Sequence, residues 1–263
     1  CQHSIAAVVM PGDVVIDVGA NIGAFALAVA ERTEGDVTLH CFEPGVPSFQ
    51  CLEKNFRHHR LLRQTRHTAN CLALTRPDLA GQERPFYFFK RIPTDSTYDI
   101  EGKHREFENW CQAHGKVIAA AVARIPIVGG IIGKSFLALV QYVCRRNNRF
   151  GVWLADRVAG LQIMPCRTET LEKWALEHQV TRIDLIKMDV EGAEVDVLAG
   201  IGSAWPMIQQ VAIETHDRAG RVADITNLLR NQGFRSIKTS KPPIAYAAES
   251  DNMLIIGHRN AEV

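Results

Sequence analysis

The sequence predicts an α/β fold in which a doubly wound, mostly parallel sheet is covered by helices on both faces. Two observations lead to this prediction. Short β-branched or apolar runs alternate with helical segments near both ends of the chain, and a turn that carries Gly19 and Gly23 directly follows the first such run. A strand that leads through a glycine-bearing turn into a helix typically begins a doubly wound sheet.

The elements near the start of the chain follow from apolar periodicity and from the glycine and proline residues that bound it. The predicted strands share β-branched, apolar or aromatic residues, and they are 13–18, 36–42, 65–74 and 83–90. The predicted helices are 24–32 and 44–58.

The last part of the chain repeats the alternation and ends in two strands without a helix between them. The predicted strands are 182–188, 208–215, 234–238 and 253–258. The predicted helices are 192–198 and 221–231.

The segment 103–160 lacks this alternation, and we expect it to form a helical lid inserted into a single domain that spans 1–263. Its apolar part, 116–144, is interrupted by Arg124, Pro126 and Lys134. Because a membrane span needs about 20 consecutive apolar residues, we expect no stable span. Contact of this segment with a membrane surface is a less favoured alternative.

Composition narrows the class of protein. The formal net charge is +1, which gives no electrostatic indication of a nucleic-acid partner. The seven cysteines include no CxxC pair, which argues against a zinc site and a disulfide framework and favours the reducing cytoplasm. The chain opens at Cys1 rather than methionine, as expected of a fragment, a processed chain or a domain of a larger protein.

The glycine turn indicates what the first crossover binds. Its spacing is G-x-x-x-G, and Asn21 stands where a dinucleotide fingerprint would need glycine. Asp17, one residue before the end of the strand, would repel a pyrophosphate and would favour a cationic amino-acid moiety. An ordinary strand–turn–helix without a ligand is the alternative for this stretch alone.

Glu43 ends the second predicted strand, where an acidic side chain can accept hydrogen bonds from a ribose diol. A solvent-exposed glutamate is the alternative. Taken together, the two stretches suit a nucleoside that carries a cationic amino-acid tail. S-adenosylmethionine is such a molecule, and S-adenosylhomocysteine would be its product.

Charged residues also follow the two later central strands. Asp189 and Glu191 share side-chain parity and could both face the cleft above the sheet, although Lys187 could pair with one carboxylate. Glu214 and His216 share parity at the end of the next strand, and a histidine there suits a proton acceptor near neutral pH. A structural histidine is the alternative.

Four stretches in this order resemble the FkbM family of S-adenosylmethionine-dependent methyltransferases. They are IDVGANIGAF, HCFEP, IDLIKMDVEGAEVDVLAG and VAIETHD, of which KMDVEGAE is the most specific. The resemblance covers about residues 11–75 and 165–260. It implies the seven-stranded, Rossmann-like sheet of a class I methyltransferase with an antiparallel hairpin at its end, and O-methylation of a hydroxyl on a specialised metabolite, a sugar or a carrier-bound acyl chain.

The resemblance also implies roles for individual residues. The methionine end of the cofactor would meet the glycine turn, the ribose would meet Glu43, and the adenine would meet Asn70. The residues implied at the methionine end are Asp17, Gly19, Asn21 and Gly23. Asp189 and Glu191 would lie near the sulfonium, on its substrate side.

We expect His216 to act as the general base, with Glu191 or Glu214 orienting it or contacting the acceptor hydroxyl. No metal is needed for this chemistry. A magnesium site at Asp189, Glu191 and Glu214 is a less favoured alternative, because Lys187 lies among these carboxylates.

The apolar lid favours a lipophilic or carrier-bound small-molecule acceptor, which would fit a domain of a modular synthase. Two rival functions remain. One is an NAD-linked or nucleotide-sugar oxidoreductase, and the other is a non-catalytic methyltransferase-like domain.

Overall fold

The computed structural model describes residues 8–105, 153, 156–157, 159–217, 220–241 and 251–260. The chain divides into two compact units, of which the first comprises Cys1–Phe86 and Ile163–Val263 and the second Tyr87–Gln162. Apart from a few residues at its ends, the expected helical lid at 103–160 lies outside the described residues, and so does its apolar part, 116–144.

The strands within the described residues form two sheets. They are β1 (Val14–Val18), β2 (Thr38–Phe42), β3 (Arg66–Asn70), β4 (Ala73–Leu74), β5 (Glu83–Phe89), β6 (Leu161–Glu169), β7 (Ile183–Asp189), β8 (Ile208–His216), β9 (Ser236–Ser240) and β10 (Asn252–His258). The central sheet has the order β3-β2-β1-β7-β8-β10-β9. Within this order, neighbouring strands from β3 to β8 pair in parallel, and β10 is antiparallel to both β8 and β9. This arrangement confirms the predicted seven-stranded, mostly parallel sheet and its closing antiparallel strands.

In the part of the chain that the structure describes, the helices that pack against the central sheet are α1 (Ala24–Arg32), α2 (Val46–His58), α3 (Leu171–Glu177), α4 (Glu194–Ala199) and α5 (Arg221–Asn231). Alternation along β1 places Ile16 and Val15 in two different apolar clusters. Helices α3, α4 and α5 pack into the cluster that contains Ile16, and α1 and α2 into the cluster that contains Val15. Because successive side chains of a strand point to opposite faces, helices cover both faces of the sheet, and the fold is doubly wound as predicted.

The predicted strand 65–74 is wrong as a single element. The chain forms β3 at the edge of the central sheet, and β4 then pairs in parallel with β6 in a three-stranded sheet of order β4-β6-β5. The exposed side chains of Arg66 and His67 are consistent with an edge strand. Strand β6, helix α3 and the 3-10 helix Gly202–Met207 were not predicted.

In the second unit, the described residues include an antiparallel bridge, the 3-10 helix Pro93–Asp95 and the helical residues 100–105. Tyr87 bridges to Thr97, and the backbone N–H of Lys90 donates to the carbonyl of Gly160 at 3.2 Å. None of the helices in the described part of the chain combines the length and the apolarity needed to cross a membrane.

Candidate active site

The register of the central sheet brings the ends of its parallel strands to one edge. Val18 lies opposite Phe42 on one side and Met188 on the other, and Asp189 lies opposite Glu214. Residues that follow these positions therefore meet at the carboxyl edge of the sheet, where ligands of doubly wound folds bind.

The glycine turn lies directly against the end of β7. Gly19 has φ 78°, and a Cβ there would come within 1.9 Å of the carbonyl oxygen of Asp189. Gly23 has φ 90°, and its Cβ would lie 2.7 Å from a methyl group of Leu52. The backbone at the end of β7 therefore occupies the space where a side chain at Gly19 would lie. Asn21, between the glycines, also has a positive φ of 49°.

Asp17 is paired with Lys187, a partner that the sequence had suggested only for the carboxylates near Lys187 itself. The Lys187 Nζ lies 3.1 Å from Asp17 Oδ1 and 3.8 Å from Asp189 Oδ2, and it donates to the carbonyl of Gly19 at 3.2 Å. The side chains of Asp17 and Lys187 are only 0% and 4% exposed. This buried lysine therefore joins the start of the glycine turn to the end of β7.

Burial raises the pKa of Asp17, and the neighbouring ammonium of Lys187 only partly opposes this shift. Burial disfavours the ammonium as well, but the carboxylates of Asp17, Asp189 and Glu214 outweigh it and raise the pKa of Lys187. Among the described residues, Asp17 Oδ2 has no hydrogen-bond partner. The side chain of Asp17 is therefore inaccessible to solvent and is held against Lys187 within the protein.

Glu43 ties the end of β2 to the glycine turn. Its carboxylate accepts the backbone N–H of Asn21 at 2.8 Å and that of Gly45 at 2.7 Å, and the residue is 7% exposed. Burial raises the pKa of Glu43 to about 7, although both N–H donors lower it. The carboxylate is therefore placed as predicted, at the carboxyl edge and next to the turn.

The side chain of Asn70 is held within the protein. Its Nδ2 donates to the carbonyl of Cys41 at 3.1 Å, and its Oδ1 accepts the indole N–H of Trp174 at 3.2 Å. Its backbone carbonyl accepts the N–H of Glu43 at 3.1 Å. Asn70 therefore neighbours Glu43, and Trp174 of α3 fixes the orientation of its amide.

Asp189 ends β7 next to the glycine turn. Burial raises its pKa to about 6, and the attraction of Lys187 is the main opposing effect. The repulsion of Glu214, Glu191 and Asp17 acts in the same direction as burial. Several carboxylates therefore lie around the buried ammonium of Lys187 at the carboxyl edge of the sheet.

The predicted base lies between two carboxylates. The Nδ1 of His216 lies 2.8 Å from Asp251 Oδ1, and its Nε2 lies 3.6 Å from Glu191 Oε2. The side chain of His216 is 13% exposed. Glu214 accepts a hydrogen bond from Asn252 Nδ2 at 2.9 Å. The structure thus brings together two of the three predicted catalytic residues, His216 and Glu191, and places Glu214 on the same strand.

Glu194, which sequence reasoning left without a role, anchors the loop that carries Glu191. Its carboxylate is 1% exposed and accepts hydrogen bonds from three groups. The donors are the backbone N–H of Gly192 at 2.9 Å, the hydroxyl of Thr215 at 3.2 Å and the guanidinium of Arg221 at 3.0 Å. Glu191 itself has φ 48°, so this anchor holds a loop in a conformation that L-residues adopt rarely.

Three residues that contact this site were not predicted, and they differ in the signal that the sequence offered. Glu194 lies inside the KMDVEGAE motif, where a carboxylate near the start of a predicted helix could have been recognised. Asp251 contacts His216, and Arg221 contacts Glu194. The two residues of each pair are 27 or more positions apart in the sequence, so no local pattern reveals these contacts. Within the described residues, no group of three or more histidine, cysteine, aspartate or glutamate side chains is arranged to hold a metal.

Comparison with known proteins gives a family match over most of the chain. Residues 17–236 match the methyltransferase FkbM domain. The chain is 29% identical over 240 residues to the 31-O-demethyl-FK506 methyltransferase FkbM of Streptomyces tacrolimicus, and the match covers 89% of this chain and 77% of that protein. It is 26% identical over 221 residues to methyltransferase sdnD of Sordaria araneosa, with coverage of 84% and 73%.

A third relative is much longer. The AMB antimetabolite synthetase AmbE of Pseudomonas aeruginosa is 30% identical over 234 residues, which are 86% of this chain but only 10% of the synthetase. A chain of this kind is therefore similar both to separate methyltransferases and to a small part of a large synthetase.

Proposed function

The chain belongs to the FkbM family of methyltransferases, and we propose that it transfers the methyl group of S-adenosylmethionine to a hydroxyl oxygen of a specialised metabolite. One relative is named for an O-demethylated acceptor, 31-O-demethyl-FK506. Family membership favours this proposal over the oxidoreductase alternative.

The residues at the carboxyl edge fit this cofactor. Glu43 offers a carboxylate that could accept hydrogen bonds from a ribose diol, as in other doubly wound folds. Within the described residues, Asp17, Asp189 and Glu214 outnumber the buried ammonium of Lys187, and an excess of negative charge favours a cationic ligand. When bound, S-adenosylmethionine supplies a methyl group that is already activated on a sulfonium.

The observation that carries the proposal is the placement of His216 at the end of β8. An alcohol is a poor nucleophile until its proton is removed, so O-methylation benefits from a base beside the acceptor. The imidazole contacts Asp251 and faces Glu191 at the same carboxyl edge as Asp189. His216 therefore removes the hydroxyl proton, and Glu191 lies beside the nitrogen that would receive it.

We propose further that the acceptor is lipophilic or carrier-bound. The likeness to a short part of a synthetase supports this, because the chain corresponds to 10% of that protein. The apolar composition of 116–144 supports it as well. A comparison of rates on a hydroxyacyl thioester and on a free sugar tests this part of the proposal.

The main test uses His216→Ala, with release of S-adenosylhomocysteine and mass of the product as readouts. The acceptors are 31-O-demethyl-FK506, a hydroxyacyl thioester and a free sugar. With the best acceptor, we expect turnover to fall by about 10²–10⁴-fold, while the affinity for the cofactor stays within about twofold of the wild type. His58→Ala, on the exposed end of α2, is the matched control and should keep full turnover.

The outcomes separate the alternatives. Full turnover in His216→Ala would overturn its role as the base, and methylation at nitrogen or carbon would overturn O-specificity. Binding of NADH in place of S-adenosylhomocysteine would favour the oxidoreductase. Binding of S-adenosylhomocysteine without transfer to any acceptor would favour the non-catalytic domain.

A further inference from the structure

We propose that Asp251 is a positioning residue, which fixes the tautomer and orientation of His216 so that Nε2 receives the acceptor proton. The inference rests on the proposed function and assigns a role to a residue outside the motifs of the sequence. Its basis is the 2.8 Å contact between His216 Nδ1 and Asp251 Oδ1.

The backbone holds Asp251 beside the imidazole. Asp251 directly precedes β10, whose register places Asn252 opposite His216. The carbonyl of Asp251 accepts the N–H of Asp217 at 2.8 Å, which extends this antiparallel ladder by one step. Asp251 and His216 therefore stand next to each other because two long strands pair, and not because a mobile side chain happens to reach the ring.

The chemistry of the contact selects one nitrogen as the base. An ionised carboxylate only accepts hydrogen bonds, so it pairs with the imidazole tautomer that carries its proton on Nδ1. The lone pair is then on Nε2, which faces Glu191 at 3.6 Å. The acceptor hydroxyl must therefore approach His216 from the side of Glu191.

The proton and electron balance of the step follows from this orientation. The O–H bond of the acceptor breaks as an N–H bond forms at His216 Nε2. The oxygen–carbon bond to the methyl group forms as the sulfur–carbon bond breaks, and the electron pair of that bond stays on sulfur. The imidazole becomes a cation, which the negative charge of Asp251 stabilises at Nδ1.

Several charged groups set the proton affinity of His216. Asp251 and Glu191 flank the ring from the segment before β10 and from the loop after β7. Glu214 lies two residues earlier on the same strand, and Arg221 of α5 is paired with Glu194. Since Asp251 makes the shortest of these contacts, removal of its charge should change the His216 pKa most directly.

The test compares Asp251→Asn with Asp217→Asn, a neighbouring acid whose side chain accepts the N–H of Val222 at the start of α5. In Asp251→Asn we expect kcat to fall by about 10–100-fold, less than for a buried triad aspartate because Asp251 is half exposed. The KM for S-adenosylmethionine should stay within about twofold of the wild type.

The acid limb of the pH profile of kcat should move to lower pH by about 1 unit, because loss of an adjacent negative charge lowers the histidine pKa. Asp251→Glu should recover part of the rate, and Asp217→Asn should match the wild type.

Nitrogen-15 NMR of the His216 ring, assigned by comparison with His216→Gln, gives a readout that needs no acceptor. We expect the Nδ1–H tautomer in the wild type and a mixture of tautomers in Asp251→Asn. Unchanged tautomer, pH profile and kcat in Asp251→Asn would overturn the inference even where His216→Ala is inactive. An active His216→Ala would instead overturn the proposed function, so the two failures are distinguishable.

Discussion

We predict that Glu43 makes cofactor binding depend on pH near neutrality. Its carboxyl lies where the ribose is proposed to bind, and burial raises its pKa to about 7. If the ionised carboxylate accepts the ribose hydroxyls, only the deprotonated protein binds well. The affinity for S-adenosylhomocysteine should therefore rise between pH 6 and pH 8, and this rise should be lost in Glu43→Gln.

The size of the effect follows from the position of this pKa. About one molecule in eleven is ionised one unit below the pKa, and about ten in eleven are ionised one unit above it. When only the ionised form binds, the apparent Kd scales inversely with that fraction. The Kd at pH 6 should consequently be about tenfold higher than the Kd at pH 8.

The same shift has a consequence for the stability of the ligand-free protein. The pKa of Glu43 is raised in the folded state from the ordinary value of 4.5 to about 7. Between these values the folded protein holds a proton that the unfolded chain has lost, so the free energy of unfolding falls as the pH rises through this window. In Glu43→Gln, this contribution to the fall in the free energy of unfolding with rising pH should be absent.

Calorimetric titration from pH 6 to pH 8 measures the effect. S-adenosylhomocysteine carries the ribose but lacks the sulfonium, so it isolates the contribution of Glu43 from that of the positive charge. Glu31→Gln, an exposed position on α1, is the matched control and should keep the pH dependence of the wild type. Asp189→Asn is a second control, because the carboxyl of Asp189 also has a raised pKa, of about 6.

Two results would refute the reasoning about Glu43. One is a Kd of the wild type that does not change between pH 6 and pH 8. The other is a pH dependence that persists unchanged in Glu43→Gln, which would assign the titration to a different group.

Two further variants test the packing of the glycine turn. Gly19→Ala places a Cβ 1.9 Å from the carbonyl oxygen of Asp189 at a positive φ, so we expect a loss of about 2 kcal/mol of stability and weaker cofactor binding. Differential scanning calorimetry should show a Tm lower by about 5 °C, and an unchanged Tm would contradict this close approach of the turn to β7. Lys187→Met leaves the buried carboxylate of Asp17 without its partner, which should cost about 3 kcal/mol in chemical denaturation. The double variant with Asp17→Asn should recover more than half of that loss, and failure to recover would show that Lys187 stabilises the turn mainly through other contacts.

The strands that build the site could be predicted because local patterns determine them. Strands β1, β2, β7 and β8 are β-branched or apolar runs that are buried in the sheet. Helix α3 was missed although Thr170 caps it, accepting the N–H of Lys173 at 3.1 Å. Strand β6 gave a weak signal, because it contains Pro165 and leaves Ile163 exposed.

The break between β3 and β4 depends on tertiary contacts instead. The two strands follow each other closely in sequence but belong to different sheets, and the partner of β4 lies more than 90 positions away in β6. No periodicity within 65–74 reveals such a partner. The same limit applies to Asp251, whose place beside His216 depends on the pairing of β8 with β10.

Three of the predicted site residues lie close together for a topological reason, while their contact with the cofactor stays a prediction. Asp17, Glu43 and Asp189 are far apart in sequence, but each lies at or near the carboxyl end of a parallel strand. Because those ends meet at one edge, a charge at the end of each strand was enough to predict that the three groups lie close together.

What the sequence did not reveal is how these charges are balanced. Lys187 is held against Asp17, so their buried charges largely offset each other. Glu43 and Asp189 have pKa values raised to about 7 and about 6, so near neutral pH a proton occupies part of each population. A bound cation would favour the ionised form of both carboxyls, and the protons would then be released. The carboxyl edge is therefore electrostatically prepared for a positively charged ligand, and proton release on binding should be larger for S-adenosylmethionine than for S-adenosylhomocysteine.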